Sequence, residues 1–251
     1  MAERVALVTG GARGIGRAIV EALARDGFAV AAADLLQEGA AETAALVRAA
    51  GGTAVDVTID VTSTASVHNA VTRIEVALGP IDVLVNCAGW DVLMPFVDTD
   101  EELWQKLIEI NYKGVLRTTH VVLPGMMERG YGRIVNIGSD AGRVGSSMEA
   151  VYAGCKGAII AFTKTIAREA ARRGVTANTV CPGPTDTPLL SGIVNAAEDA
   201  DKVIGAMTRA VPMKRLGQAH EVAGAVAYLA SEGAGFTSGQ TLSVSGGLTM
   251  A

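Results

Sequence analysis

Residues 5–23 read VALVTGGARGIGRAIVEAL. A short apolar run, Val5 to Val8, is followed by closely spaced glycines and then by apolar residues at helical spacing. Glycine at a strand-to-helix junction permits a tight turn and lets the N–H groups of the helix N-terminus approach a pyrophosphate. The spacing is Gly-x-x-x-Gly-x-Gly rather than G-x-G-x-x-G. This loop therefore predicts dinucleotide binding only together with other features, and a plain Gly-rich turn stays open as the alternative.

Strand and helix patterns alternate along the whole chain. The apolar or β-branched runs are Val5 to Val8, Ala29 to Ala33, Thr53 to Ile59, Val83 to Val85, Arg133 to Ile137, Thr176 to Val180 and Leu242 to Val244. Helical patterns begin near Gly14, Glu38, Ser63, Glu101, Val151 and His220. This alternation predicts one α/β domain over residues 1–251, with a Rossmann-like, doubly wound parallel sheet of about seven strands and helices on both faces. Residues 182–210 fit neither pattern well and are predicted to form a substrate lid.

Composition excludes several classes of protein. The chain has 21 Lys and Arg against 26 Asp and Glu, a formal net charge of −5, and no stretch concentrates positive charge. Nucleic acid is therefore not expected as a partner. Hydrophobic residues make up 49% of the chain, which is enough for a large core. No apolar block of about 20 residues and no signal-peptide pattern is present, so we expect no membrane association and a cytoplasmic location.

Cysteine and histidine give no sign of a metal site. The three cysteines lack C-x-x-C spacing, and each of the three histidines is isolated from other ligand-type residues. This disfavours both a disulfide framework and a zinc site. We predict reduced, mostly buried thiols and no bound metal. Cys155 directly precedes Lys156 on the helical pattern and points about 100° away from it around the helix. It is therefore interpreted as a packing residue.

Two acidic residues end predicted strands on the cofactor side of the sheet. Asp34 ends the second strand, where a carboxylate can accept hydrogen bonds from the adenosine ribose hydroxyls and repel a 2′-phosphate. This favours NAD over NADP. Arg13 in the glycine loop could instead pair with such a phosphate, or with Asp34 itself. Asp60 ends the third strand, where it either meets the adenine edge or caps the helix that begins at Ser63.

Several motifs occur in one order over almost the whole chain: Thr9 to Gly16, Asn86 to Gly89, Asn111, Ser139, Tyr152 to Lys156, and Pro182-Gly183 with Thr187. Together they resemble the short-chain dehydrogenase/reductase family. Cys87 departs from the Asn that this family usually has there. The resemblance implies a nicotinamide cofactor held by Gly10, Arg13, Gly14, Ile15, Gly16, Asp34, Asp60, Val61, Asn86, Ala88, Gly89, Tyr152, Lys156, Pro182, Gly183, Thr185 and Thr187. It also implies a homotetramer, with helices around residues 101–129 and 151–173 at one interface and the C-terminal segment at another.

Four residues are predicted to carry out the chemistry. Tyr152 and Lys156 are four apart on a helical pattern, so their side chains lie on one face. A nearby ammonium and an oxidised nicotinamide would lower the pKa of the Tyr152 phenol, which then takes a proton from an alcohol or returns it to a ketone. Ser139 would hydrogen-bond the same oxygen, and in the family Asn111 anchors a water that leads protons to the lysine. The alternatives are an ordinary surface pair for Tyr152 and Lys156, and a solvent-facing helix residue for Asn111.

The substrate is predicted from a narrower resemblance. Residues 86–91, 139–147, 180–187 and 243–250 resemble members of the family that oxidise 2-hydroxycyclohexanecarboxyl-CoA. The predicted reaction is therefore NAD-dependent oxidation of a 2-hydroxycycloalkanecarbonyl-CoA or another 3-hydroxyacyl thioester. Reduction of a 3-oxoacyl thioester, oxidation of a simple secondary alcohol and a non-catalytic dinucleotide sensor are the alternatives. Trp90 and Met148 could line an apolar pocket, and the candidate CoA phosphate ligands are Arg143, Arg209, Lys214 and Arg215.

Overall fold

The computed structural model describes residues 3–194 and 199–250. Its strands are β1 Val5–Thr9, β2 Ala29–Asp34, β3 Ala54–Thr58, β4 Ile81–Asn86, β5 Gly132–Ile137, β6 Val175–Pro182, β7 Thr185–Asp186, β8 Gly217–Gln218 and β9 Thr241–Val244. Its helices are α1 Gly14–Arg25, α2 Gln37–Ala49, α3 Thr64–Leu78, α4 Glu101–Ile108, α5 Gly114–Arg129, α6 Ala141–Val144, α7 Ala150–Ala170, α8 Pro188–Val194, α9 Ala200–Ala210 and α10 Ala219–Ala230.

The main sheet confirms the predicted fold class. Its seven strands are all parallel and lie in the order β3-β2-β1-β4-β5-β6-β9. The chain winds outward from β1 in one direction and then restarts at β4 in the other. A crevice therefore opens at the carboxyl ends of β1 and β4, where open α/β sheets bind their ligands.

The core consists of two apolar layers, one on each face of the sheet. Along β1, Leu7 points into the layer covered by α3, α5 and α7, while Val8 points into the layer covered by α1, α2 and α10. Strands covered on both faces need apolar residues at successive positions, which explains why β1 and β2 are apolar almost throughout. Among the described residues no helix is both long enough and apolar enough to cross a membrane.

The segment 182–210 has more regular structure than its sequence suggests. Strand β7 pairs in parallel with β8 to form a small second sheet, and α8 and α9 follow it. Residues 195–198, between these two helices, lie outside the described part of the chain, as do residues 1, 2 and 251 of the predicted domain. The lid remains a prediction.

The helical pattern that begins at Glu101 does not form one continuous helix. Helix α4 passes into a π-helical turn, Glu109–Lys113, before α5 begins. Such turns insert one extra residue into the helical repeat and are common at functional sites. Here the π turn contains Asn111, whose side chain is fully buried.

A buried polar network joins the carboxyl ends of β4 and β5. The Asn86 Nδ2 donates to Asn136 Oδ1 at 2.8 Å, and Asn86 Oδ1 accepts from the Thr118 hydroxyl at 2.6 Å. Asn136 Nδ2 in turn donates to the Thr163 hydroxyl at 2.8 Å. These bonds link two strands to α5 and α7. Because these buried amides bond one another and the threonine hydroxyls of α5 and α7, they fix how the two helices sit on the sheet.

We expect Asn136→Ala to lower the free energy of unfolding by about 2 kcal/mol, because it removes a buried partner from both Asn86 and Thr163. Chemical denaturation measures this loss. Thr72→Ala is the matched control: its exposed hydroxyl bonds only the His68 carbonyl, at 3.0 Å, and its loss should cost about 0.5 kcal/mol or less. Equal effects of the two variants would contradict a structural role for the network.

Candidate active site

The glycine loop brings three backbone segments into contact. Gly10 adopts φ +73°, and a Cβ there would lie 2.9 Å from the Ala88 Cα. A Cβ on Gly16 would overlap the Gly10 carbonyl oxygen. Arg13, at the N-cap of α1, makes no side-chain capping bond. The first N–H groups of α1 therefore face the crevice without a side-chain acceptor, which is the arrangement that fits a pyrophosphate.

Thr9 holds the floor of this loop, a role that the sequence reasoning missed. Its buried hydroxyl accepts hydrogen bonds from the N–H groups of Cys87 at 3.1 Å and Ala88 at 3.2 Å. These bonds join the end of β1 to the segment that follows β4. A polar residue closing an otherwise apolar strand was the available signal.

Asp34 faces the glycine loop from the end of β2. Its Oδ2 accepts from the Ala12 N–H at 3.0 Å and its Oδ1 from the Leu36 N–H at 2.9 Å. Within residues 3–194 and 199–250, Arg13 forms no ion pair or side-chain hydrogen bond with Asp34, and its side chain is exposed. The carboxylate therefore stays beside the cofactor crevice with its charge unneutralised by that arginine.

Asp60 and Val61 follow β3. Asp60 Oδ1 accepts from both the N–H and the hydroxyl of Thr62, at 2.8 and 2.7 Å. The N-cap of α3 is Ser63, whose hydroxyl accepts from the Ser66 N–H, so the alternative in which Asp60 caps this helix is wrong. Val61 is buried, and its side chain packs against Gly114 at the start of α5.

The predicted site residues Asn86, Ala88 and Gly89 contribute mainly backbone to the crevice. The side chain of Asn86 points into the core network, so only its main chain is available to a cofactor. Gly89 is exposed at the crevice, and a Cβ there would lie 3.0 Å from Asn111 Oδ1 and 3.6 Å from Lys156 Nζ.

The segment from Pro182 to Thr187, which is also predicted to bind the cofactor, lies close to the glycine loop. A Cβ on Gly14 would lie 3.5 Å from the Cβ of Thr187. The Thr187 hydroxyl accepts from the Leu190 N–H at 3.3 Å, and the Thr185 hydroxyl donates to the Gly183 carbonyl at 2.9 Å. The fold thus brings Ile15 and its glycine neighbours close to the Pro182 to Thr187 segment.

Ser139, Tyr152 and Lys156 meet at the carboxyl end of β5. Lys156 is 3% exposed, its Nζ donates to the Ile137 carbonyl at 2.9 Å, and it lies 5.4 Å from the centre of the Tyr152 ring. Ser139 lies beside the Tyr152 phenol, and its Oγ accepts from the Ala141 N–H at 3.1 Å. The ordinary surface pair considered for Tyr152 and Lys156 is therefore wrong, because the lysine is buried.

Asn111 closes the site from the π turn. Its Nδ2 donates to the carbonyls of Trp90 at 2.7 Å and Leu107 at 3.0 Å, while its Oδ1 accepts from the Trp90 N–H at 3.2 Å. The alternative of a solvent-facing helix residue is wrong. Asn111 clamps the Gly89–Trp90 backbone beside Lys156.

Neighbouring groups within the chain shift the pKa of the Tyr152 phenol. Within the chain, burial is the largest influence and raises the pKa of the Tyr152 phenol above its ordinary value, and Asp91 and Glu149 raise it further. The Ser139 hydrogen bond acts in the opposite direction. Burial likewise lowers the pKa of Lys156. The predicted lowering of the Tyr152 pKa requires an oxidised nicotinamide as well as the Lys156 ammonium, so it stays a prediction.

A pocket opens beside Tyr152, lined by Asp91, Glu149, Met148, Met94 and Leu107. Met148 was predicted to line such a pocket. Trp90 does not line it, and its ring instead packs under Lys106, whose Nζ lies 3.8 Å from the ring centre. Asp91 and Glu149 were not among the predicted site residues.

Most of the candidate CoA ligands have partners within the chain. The partners are the Ser243 hydroxyl for Arg143 at 2.6 Å, the Glu221 carboxylate for Arg215 at 2.6 Å and the Arg209 carbonyl for Lys214 at 2.7 Å. A phosphate at these positions would have to compete with existing bonds. All three cysteines are free, and burial raises the pKa of Cys87 to about 12 and that of Cys181 to about 11. The part of the chain that is described holds no cluster of metal-ligating side chains.

Known proteins match nearly the full length of the chain. A family model described as enoyl-(acyl carrier protein) reductase matches residues 10–249. Acetoacetyl-CoA reductase of Allochromatium vinosum is 39% identical over 249 residues, covering 98% of this chain and 99% of the relative. The 3-oxoacyl-(acyl-carrier-protein) reductase of Escherichia coli is 38% identical over 247 residues, covering 98% of both. A solved structure of a variant actinorhodin polyketide ketoreductase with NADPH has a TM-score of 0.94 and 38% identity, covering 99% of both chains. These matches cover the glycine loop as well as Ser139, Tyr152 and Lys156. The chain therefore belongs to the short-chain dehydrogenase/reductase family.

Proposed function

We propose that this protein interconverts 3-oxoacyl and 3-hydroxyacyl thioesters with NAD(H), and that carbonyl reduction is the direction its site favours. The observation that carries the proposal is the Tyr152 phenol, which lies beside Ser139 and a buried Lys156 and lines a pocket. A dinucleotide sensor would not need this arrangement. Support for a thioester comes from the names of the relatives, two of which are reductases of 3-oxoacyl thioesters.

The residues divide the work of carbonyl reduction. A bound NADH supplies the hydride for the carbonyl carbon, and its pyrophosphate fits the open N-terminus of α1. The Ser139 hydroxyl donates a hydrogen bond to the carbonyl oxygen and fixes its position. Tyr152 then gives its proton to that oxygen as a general acid. The Lys156 ammonium, held by the Ile137 carbonyl, stabilises the resulting phenolate.

The acyl part of the substrate is a separate question. The ring-containing thioester predicted from the sequence and an open-chain 3-oxoacyl thioester share the same reacting carbonyl. The pocket beside Tyr152 has Met94, Met148 and Leu107 among its lining residues, so either an alkyl chain or a ring would meet an apolar surface there. Rates with a 3-oxobutanoyl thioester, a 2-oxocyclohexanecarbonyl thioester and cyclohexanone rank these substrates. A 2-enoyl thioester is the control for reduction of a carbon–carbon double bond.

Tyr152→Phe should lower kcat for thioester reduction by about 100-fold or more, because it removes the proton donor and leaves the pocket shape nearly unchanged. NADH binding, followed by fluorescence titration, should persist. Tyr228→Phe is the matched control, since its exposed hydroxyl bonds only Thr237, at 3.1 Å, and it should retain the parent rate. A Tyr152→Phe enzyme with the parent rate would overturn the proposed mechanism.

We also propose NAD(H) as the preferred cofactor, because Asp34 places a carboxylate beside the glycine loop where a 2′-phosphate would lie. Asp34→Asn should reduce the ratio of kcat/KM for NADH over NADPH by about tenfold, equivalent to about 1.4 kcal/mol. Asp26→Asn removes the same charge at the far end of α1 and should leave the ratio unchanged. A parent enzyme with a lower KM for NADPH than for NADH would show that Arg13 outweighs Asp34.

We propose a homotetramer, as the family resemblance implies. Exposed apolar side chains at the C-terminal end of the chain support an interface there, namely Phe236, Leu242 and Met250. Light scattering should give four times the 25.7 kDa chain mass, and Phe236→Asp should lower it. Val76→Asp, at an exposed position of α3, is the control and should leave the mass unchanged. A monomer mass for the parent protein would rule the assembly out.

A further inference from the structure

Two carboxyl groups meet in the pocket beside the Tyr152 phenol. Asp91 follows β4 and Glu149 precedes α7, so residues that are 58 positions apart in sequence line the same pocket. Asp91 is only 4% exposed. Neither of its oxygens accepts a hydrogen bond of normal geometry from a donor in the described chain. The group that it meets instead is the Glu149 carboxyl, with the Val92 N–H nearby.

A contact between two carboxyl groups has a simple chemical requirement. Two ionised carboxylates carry only acceptors and repel each other. The contact is favourable when one proton lies between them, because one carboxyl then donates to the other. Burial of Asp91 and the nearby Glu149 charge both raise the pKa of Asp91, while Lys156 and the Val92 N–H act in the opposite direction. The burial of Asp91, its lack of a donor and the nearby Glu149 carboxyl all favour a proton on Asp91.

The backbone holds Glu149 in this position. The preceding residue, Met148, adopts φ +67°, a left-handed conformation that is unfavourable for a long side chain. Its carbonyl accepts a hydrogen bond from the Met94 N–H at 2.9 Å, which ties the start of α7 to the segment that carries Asp91. Backbone strain of this kind persists where the surrounding structure enforces it, and it clusters at functional sites.

We propose that Asp91 and Glu149 share one proton and together hold negative charge against Tyr152, so that the phenol keeps its proton to higher pH and serves as the acid in carbonyl reduction. The proposal rests on the proposed function, in which Tyr152 exchanges a proton with the substrate oxygen. Asp91 and Glu149 act through Tyr152 and are therefore positioning residues.

Other groups near Tyr152 favour its phenolate form, and the negative charge of the carboxyl pair opposes them. Lys156, from the next turn of α7, carries the positive charge that favours the phenolate, and the Ser139 hydroxyl also stabilises it. The Cys87 thiol, from the segment after β4, is neutral because burial raises its pKa to about 12. Asp91 and Glu149 are thus the groups whose negative charge opposes Lys156. Without them, the phenol would lose its proton at lower pH.

The pH profile of both reaction directions tests the proposal. Alcohol oxidation needs the phenolate, so its kcat/KM rises with pH, whereas reduction needs the phenol and falls. The double variant Asp91→Asn/Glu149→Gln should move both profiles about one pH unit lower, making oxidation on the acidic limb about tenfold faster. Asp91→Asn alone should move them less, because Glu149 keeps a charge. Asp98→Asn, an exposed carboxylate outside the pocket lining, should not move them.

Three outcomes of this experiment would overturn the proposal. Profiles of the double variant that coincide with the parent would show that the pair does not act on Tyr152. A shift in Asp91→Asn as large as that in the double variant would show that the charge is on Asp91 alone and that no proton is shared. A loss of rate without a shift in pH would indicate a structural role only and would also overturn it.

A second measurement needs neither cofactor nor substrate, so it separates this proposal from the proposed function. Infrared difference spectra of the full chain near neutral pH should show a protonated-carboxyl C=O band that is present in the parent and lost in Asp91→Asn. The band should shift in Glu149→Gln, where the partner changes from a carboxyl to an amide. Absence of the band in the parent would overturn proton sharing. Its presence in a protein that reduces no thioester would support the pair while refuting the proposed function.

Discussion

The arrangement of the site depends on the close contact of backbone with backbone where β1, α1 and the segment after β4 meet. Gly10 and Gly16 lie so near Ala88 and each other that no side chain fits between them. The Thr9 hydroxyl also ties the end of β1 to the segment after β4. This contact sets the distance between the two halves of the sheet at their carboxyl ends. The cofactor crevice and the position of Gly89 beside Lys156 both depend on it.

The second half of the site depends on buried polar groups rather than on close packing. Lys156 is anchored by the Ile137 carbonyl, Asn111 by the Trp90 backbone, and Asn86 by Asn136. These bonds join α7 to the end of β5, the π turn to the segment after β4, and β4 to β5. An unsatisfied polar group in such a place would be costly, so the bonds determine orientation as well as stability. The reacting groups are thereby held rigidly before any substrate binds, which favours precise transfer of a proton.

The sequence predicted the parts of the molecule that follow from local pattern. The parallel sheet, the glycine loop and the shared face of Tyr152 and Lys156 all come from periodicity and spacing within a short window, and the structure confirms the fold. Other features depend on contacts between distant segments. The π turn around Asn111 could not be predicted from the sequence, because one extra residue in a helical turn leaves no recognisable pattern of residue types. The pairing of Asp91 with Glu149 requires knowing that the loop after β4 lies against the start of α7.

The same distance in sequence hid two of the influences that act on the Tyr152 phenol. From sequence, Lys156 is the visible charged neighbour, and an ammonium lowers the pKa of a phenol. In the folded chain, burial acts on both members of the pair, raising the pKa of Tyr152 and lowering that of Lys156. Both shifts favour neutral groups, and the carboxyl pair adds to the effect on the phenol. A neutral phenol is a proton donor, so the chain as folded is prepared to protonate a carbonyl oxygen.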